Sequence, residues 1–199
     1  MLSTIKELIF QEYFVDKKGL SFKLIETAIE ATCKEAKFEA EHEEYVVFKF
    51  DETTNLFPFY SDIKKAKKMC DYIIFYKKEY KNEITVFAVI CNLKSGKKDD
   101  SSDQIHAGHI FAKFIFDTAK RLNPPQFENV KLCFVRVLFH NIKTIGNNIN
   151  YRDQGIINNE GGVIYIKSSD TFKFEHWCRK DKPWIYSTEN TYQKNLKVK

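Results

Sequence analysis

The sequence predicts a mixed α/β (α+β) chain: a central mixed sheet of four or five strands flanked by helices. Three observations carry that expectation. Residues 45–50, 70–76, 84–92 and 130–139 are short runs rich in β-branched and aromatic side chains, bounded by polar turns. Residues 3–15, 21–36 and 103–122 repeat apolar side chains at offsets of three and four, the helical period. The last of these helices separates 84–92 from 130–139, so those two strands are expected to be parallel, joined by a crossover.

In chain order, Ile5, Leu8, Ile9 and Tyr13 sit near helical spacing, and Gly19 after Asp16-Lys17-Lys18 suits a helix stop. Ser21 can cap a second helix in which Phe22, Ile25, Ile29, Thr32, Cys33 and Ala36 form one face. Glu26 and Glu30, four apart, share the face one step round. Residues 37–44 are acidic and read as a solvated helix end or loop, and 45–50 as a strand. Residues 51–61 form an irregular insert punctuated by Pro58, followed by a Lys-rich stretch, 62–69, of exposed helical turns. Segments 70–76 and 84–92 pair as a hairpin across 77–82. After a polar loop, 95–102, the third helix carries Ile110, Phe111, Phe114, Ile115, Ala119 and Leu122 on a broad apolar face and stops before Pro124-Pro125. Residues 140–162, rich in Asn and Gly, read as a long loop. Segments 163–167 and 171–175 flank Ser168-Ser169-Asp170 as a C-terminal hairpin. The tail from Cys178 is polar except for Trp184, Ile185 and Tyr186, which offer a docking point.

The 199 residues suit one domain, 1–199, with a core over 21–139 and a terminal hairpin and basic tail over 163–199. The 18 phenylalanines supply large rings for packing. The net charge of +5 permits nucleic-acid contact without demanding it. Charge is segregated: residues 26–52 carry nine acids against three lysines, and residues 178–199 six bases against two acids. The plain account of this is a solvated acidic face and a solubilising tail. The five cysteines form no CxxC or Cys/His cluster, which argues against zinc and for small buried thiols in a reducing compartment. No apolar run approaches the roughly 18 residues of a membrane span, so a soluble cytoplasmic protein without membrane contact is expected.

The chemistry-bearing residues lie in the central hairpin and the helix after it. Asp71 opens the first run; the second ends in Asn92-Leu93-Lys94; Gln104 lies in the first turn of the following helix. On a strand, residues i and i+2 face one side, so Asn92 and Lys94 point into one site. A carboxylate on one strand, X-Leu-Lys on the next and a Gln on the next helix resemble, over residues 21–139, the core of the PD-(D/E)XK (restriction-endonuclease-like) nuclease superfamily. Asn92 stands where that family has Asp or Glu.

The resemblance implies a core of helix, three-strand meander, helix and strand, and a metal-dependent hydrolysis of DNA phosphodiesters, in a restriction or phage-defence setting. It implies Mg2+ (or Mn2+) held by Asp71, Asn92 and a glutamate of the preceding helix, Glu30 or Glu26. The catalytic set would be Asp71, Asn92, Lys94, Gln104 and Glu30. The ion would neutralise the phosphate, and Lys94 would hold or acidify the attacking water. An amide oxygen can coordinate Mg2+ but brings no charge. One unit-charge pair at about 4 Å is worth about 4 kcal/mol at an effective dielectric of about 20. The alternative is therefore the same fold with catalysis lost, contacting nucleic acid or a partner protein, or pairing as a homodimer; a structural subunit is a third reading.

Each residue also has a plain structural role open to it. Asp71 can cap a turn, Asn92-Leu93-Lys94-Ser95-Gly96 can be a strand exit, Gln104 can cap its helix, and Glu26 and Glu30 can be solvated. His106 and His109, three apart, can face a phosphate or be ordinary polar residues. Lys64, Lys65, Lys67, Lys68, Lys97 and Lys98 can track a phosphate backbone or form a solvated face. Tyr151-Arg152-Asp153-Gln154 offers side chains able to read bases.

Overall fold

The computed structural model describes residues 1–27, 29–31, 33–50, 69–81, 83–94, 101–140, 156–158, 162–181 and 185–187. Within them the elements are α1 (Leu2–Glu7), β1 (Ser21–Ile25), β2 (Glu35–Glu39), β3 (Tyr45–Lys49), β4 (Tyr72–Tyr80), β5 (Glu83–Lys94), α2 (Ser101–Leu122), β6 (Val130–His140), β7 (Ile156–Asn158), β8 (Val163–Lys167), β9 (Thr171–Lys173), α3 (Phe174–Trp177) and β10 (Tyr186–Ser187). The fold is mixed α/β. A seven-stranded mixed sheet runs β3-β4-β5-β6-β8-β7, with β10 beside β6, and a three-stranded sheet runs β1-β2-β9.

The central strands are buried on both faces, which is why they read as nearly continuous apolar runs. Tyr72, Ile74, Tyr76, Val89, Cys91 and Leu93 point into one core layer. Ile73, Phe75, Ala88 and Ile90 point into the other, beneath α2. The β4–β5 hairpin runs further than the polar residues 77–82 suggest: Tyr80 pairs with Glu83, and Lys81 takes φ 49° in the tight turn. Ion pairs hold the polar extension in the ladder, Lys77 with Glu44 and Glu79, and Lys78 with Glu41. The meander β3-β4-β5 is antiparallel. The crossover through α2 then sets β6 parallel to β5, in register from Ile84↔Val130 to Lys94↔His140, as the sequence leads one to expect.

The second predicted helix does not form. Residues 21–25 and 35–39 are an antiparallel hairpin, Ser21↔Glu39 to Ile25↔Glu35, and β9 joins β2 in parallel. Both periods are written into this stretch, and period two wins. Phe22, Leu24, Ala36 and Phe38 are buried, whereas Ile25 and Ile29 of the helical face are 53% and 95% exposed. The winning pattern lays flat rings on the main sheet: Phe22 stacks on Phe38 at 5.2 Å, and Phe38 meets Phe139 and Phe172, each at 5.4 Å. The main sheet is therefore covered by α1 and α2 on one face and by a small sheet on the other, rather than by helices on both.

The C-terminal hairpin is also absent. β8 pairs parallel with β6, while β9 leaves for β2 in the other sheet. Ser168-Ser169-Asp170 is a crossing between layers, fixed by Ser168 N–H to His140 C=O and Asp170 N–H to Lys167 C=O, both 2.9 Å. The antiparallel partner of β8 is β7, a strand within the predicted long loop. The first helix stops at Glu7, because the chain turns to cover the β3 edge: Val15 N–H donates to Val47 C=O at 3.0 Å. In the tail, Ile185 packs on the core and β10 pairs with β6 at Cys133 and Phe134. The insert 51–68, Trp184 and most of 140–162 lie outside the described residues. No described helix is long and apolar enough to cross a membrane.

Phe38→Ala should cost about 3–5 kcal/mol in denaturant unfolding, because the ring joins the two sheets. Phe114→Ala, at a position 64% exposed, should stay within about 0.5 kcal/mol. Similar losses for both would refute the assignment of Phe38 to the joint.

Candidate functional site

Tyr72 pairs with Cys91, which brings the residue before β4, Asp71, to the end of β5 beside Asn92. The two exchange bonds. Asp71 N–H donates to Asn92 Oδ1 at 3.1 Å, and Leu93 N–H donates to Asp71 Oδ2 at 2.6 Å. Each side chain thus takes a backbone donor of the neighbouring strand where the ladder ends. With its oxygen so engaged, the Asn92 amide turns Nδ2 toward α2, where it donates to Gln104 Oε1 at 3.2 Å. The Lys94 ammonium donates to the same Gln104 oxygen. Asn92 is 0% exposed and Gln104 2%. The structure therefore brings Asp71, Asn92, Lys94 and Gln104 together.

The position of α2 follows from Gly108, one turn beyond Gln104. A Cβ there would stand 2.7 Å from Ile90 Cγ2 and closer still to Cys70 Sγ. Only glycine lets the helix backbone come this near β5. Ile90 precedes Asn92 by two residues on the same face, so the contact at Gly108 and the bond at Gln104 are one turn of helix laid along one stretch of strand.

The glutamates are placed differently. Glu26 and Glu30 lie on the loop closing the β1–β2 hairpin, not on a helix over the sheet; Glu26 N–H bonds Lys34 C=O at 2.9 Å. That hairpin covers the face opposite α2, where Tyr72 OH donates to Ile25 C=O at 2.7 Å. Glu30 is exposed. Burial, then the carboxylates of Asp71 and Glu26, push the Cys33 thiol up to about 11. Glu26 therefore reaches the same end of the sheet from the hairpin side.

Mg2+ keeps several of its waters and takes one or two protein carboxylates. Here one carboxylate, already bonded to a backbone N–H, shares the cluster with two neutral amides and an ammonium. Among the described residues no group of three or more His, Cys, Asp or Glu side chains is arranged to hold a metal. Among the described residues this cluster offers Mg2+ or Mn2+ fewer anionic oxygens than the resemblance implies.

Further along α2, His109 lies flat on Phe134 with centroids 3.8 Å apart, and Arg136 Nη2 approaches its Nδ1 at 3.3 Å. Burial first, and the Arg136 charge second, lower its pKa from 6.5 to about 4. His106 is exposed. Lys64, Lys65, Lys67, Lys68, Lys97, Lys98 and residues 151–154 lie outside the described residues. Sequence reasoning passed over His140 and Lys167, which pair with Lys94 in one cross-strand row, Lys94↔His140↔Lys167. Each is a polar residue closing an apolar run, and that was the available signal.

Gly108→Ala should lower stability by about 1–3 kcal/mol through overpacking, even though alanine is the better helix former; thermal melting measures it, and an unchanged or higher Tm would contradict the close approach. A second prediction concerns acid. The unfolded imidazole protonates as pH falls through about 6.5, the folded one only near 4. Stability present above pH 6.5 is therefore lost progressively as pH falls toward 4. His109→Phe should flatten that limb in urea titrations at stepped pH; parallel wild-type and variant curves would exclude the effect.

Comparison of the chain with protein-family models, with curated proteins and with solved structures gives no match.

Proposed function

We infer that this chain is a restriction-endonuclease-like module that binds DNA without hydrolysing it. One observation carries the reading: at the position where the resemblance expects a metal-binding acid stands the amide of Asn92, buried and hydrogen-bonded at both ends. Relative to a carboxylate, it forgoes about 4 kcal/mol or more of attraction for a cation, roughly a thousandfold in ion affinity. The Lys94 charge, which would assist a metal-bound phosphate, remains and is suited to holding a phosphate alone. A net charge of +5 agrees with a polyanionic partner. The five buried free thiols suit the reducing cytoplasm, the setting of a restriction or phage-defence component.

The convergence of Asp71, Asn92, Lys94 and Gln104 in the expected order favours a second reading, Mg2+-dependent cleavage of DNA. Plasmid nicking in Mg2+ or Mn2+, alongside duplex retention in EDTA, separates the two. The expected result is metal-independent retention that weakens steeply with salt, no nicking by the wild type, and nicking gained in Asn92→Glu. Nicking by the wild type that is lost in Asp71→Ala and Lys94→Ala would establish the hydrolytic reading instead. Absence of any gel shift at low salt would remove DNA from both and leave a partner protein or homodimer.

A further inference from the structure

Helix α2 lays one face on β5 and β6 and turns the other outward. Ile110, Phe114 and Leu122 on the outer side are 56%, 64% and 56% exposed. With the half-buried Thr118 they are spaced by four, which makes one continuous ridge over three turns. The ridge is seated on the core rather than loose. Phe114 lies near-parallel to Phe111 at 6.4 Å, and Phe111 meets the buried Phe50 edge-on at 5.3 Å. An apolar ridge of this kind, flanked by charged side chains, is the pattern of a helix that packs on another helix.

The ridge matches itself. Its four positions are symmetric about residue 116. In an antiparallel contact Ile110 therefore meets Leu122 of the second copy, and Phe114 meets Thr118 of the second copy. Each contact occurs twice, as a two-fold axis requires. The charges along the flank agree. Lys113 and Asp117 form an i,i+4 ion pair beside the ridge. An antiparallel two-fold sets this flank against its own copy in reversed order, so Lys113 comes near Asp117 of the second copy and Asp117 near its Lys113. Opposite charges thus meet at both places. The last turn holds Lys120 and Arg121. Antiparallel pairing carries these basic turns to opposite ends, whereas parallel pairing would set them side by side. The helix macrodipoles also oppose one another favourably. A flank of mixed, self-complementary charge suits a second copy better than a uniformly acidic partner.

We propose that two copies of this chain pair through α2, antiparallel about a two-fold axis at residue 116. The pairing is independent of the DNA-binding reading. Three apolar side chains per copy make a small interface, so the dimer dissociates on dilution. Sedimentation velocity over a concentration series tests it. Phe114→Glu should raise the dimer dissociation constant about a hundredfold, tenfold for each ring lost. Ile29→Glu, on the 95% exposed side chain of the β1–β2 loop, should leave it unchanged. Melts at high dilution establish that each variant is folded. A short bismaleimide then reads the register. Ile110→Cys and Leu122→Cys should cross-link when mixed, and neither should cross-link alone, because like positions stand roughly 18 Å apart along the helix. The five native thiols are buried and stay unlabelled. A wild type that remains monomeric as concentration rises would overturn the proposal and give the ridge to a protein of different sequence. A dimer unmoved by Phe114→Glu, or equally weakened by Ile29→Glu, would overturn it too. Cross-linking of either cysteine variant alone would overturn the antiparallel register.

Discussion

The exchange of hydrogen bonds between Asp71 and the end of β5 is the constraint from which the rest of this edge follows. An antiparallel ladder leaves unpaired donors where it stops, and a buried unpaired donor is costly. Asp71 and Asn92 meet that need reciprocally, each side chain accepting an N–H of the other strand. Because Asn92 spends its oxygen there, its amide nitrogen must find an acceptor on the far side. That acceptor is Gln104, and it fixes where the first turn of α2 can lie. Gly108 then permits the approach that the bond requires.

The same network explains why an amide is at home at position 92. An ionised carboxylate at a fully buried position beside Asp71 would need a counter-ion, and without one it would take up a proton. The amide carries one acceptor and two donors but no charge, and both its oxygen and its nitrogen find partners here. The Lys94 ammonium shares the Gln104 oxygen. The cluster is held by two neutral hydrogen bonds, at Asn92, and by two to charged groups, the Asp71 carboxylate and the Lys94 ammonium.

The two faces of the central sheet are built from different materials. Beneath α2 lies a layer of mixed aliphatic and aromatic side chains around Ile73, Phe75, Ile90 and Phe134. The opposite face carries a ring-rich layer in which Phe22, Phe38, Phe172 and Phe174 interdigitate with Tyr76 and Phe139. A flat hairpin spreads these rings over a sheet more fully than a helix, whose side chains radiate. Three phenylalanines, Phe22, Phe38 and Phe172, come from the β1–β2–β9 cover itself. Asp71, Asn92, Lys94 and Gln104 gather at the end of the sheet, where strands stop and backbone donors need side-chain partners.

The sequence by itself determined what local pattern can determine. The meander of β3, β4 and β5, the crossover helix ended by Pro124 and the parallel β6 are all long, strongly periodic or unambiguously apolar. The order and parity of Asp71, Asn92, Lys94 and Gln104 made their meeting legible in advance, since strand alternation fixes which side chains share a face. Residues 21–39 carried both a helical and a strand period, and only the aromatic layer supplied by Phe139, Phe172 and Phe174, far along the chain, chose between them. The parting of β8 and β9 into different sheets, and the row of Lys94, His140 and Lys167, depend on pairings between strands distant in sequence. Such pairings are decided by which edges remain open once the core has closed, a global property with no signature in any one segment.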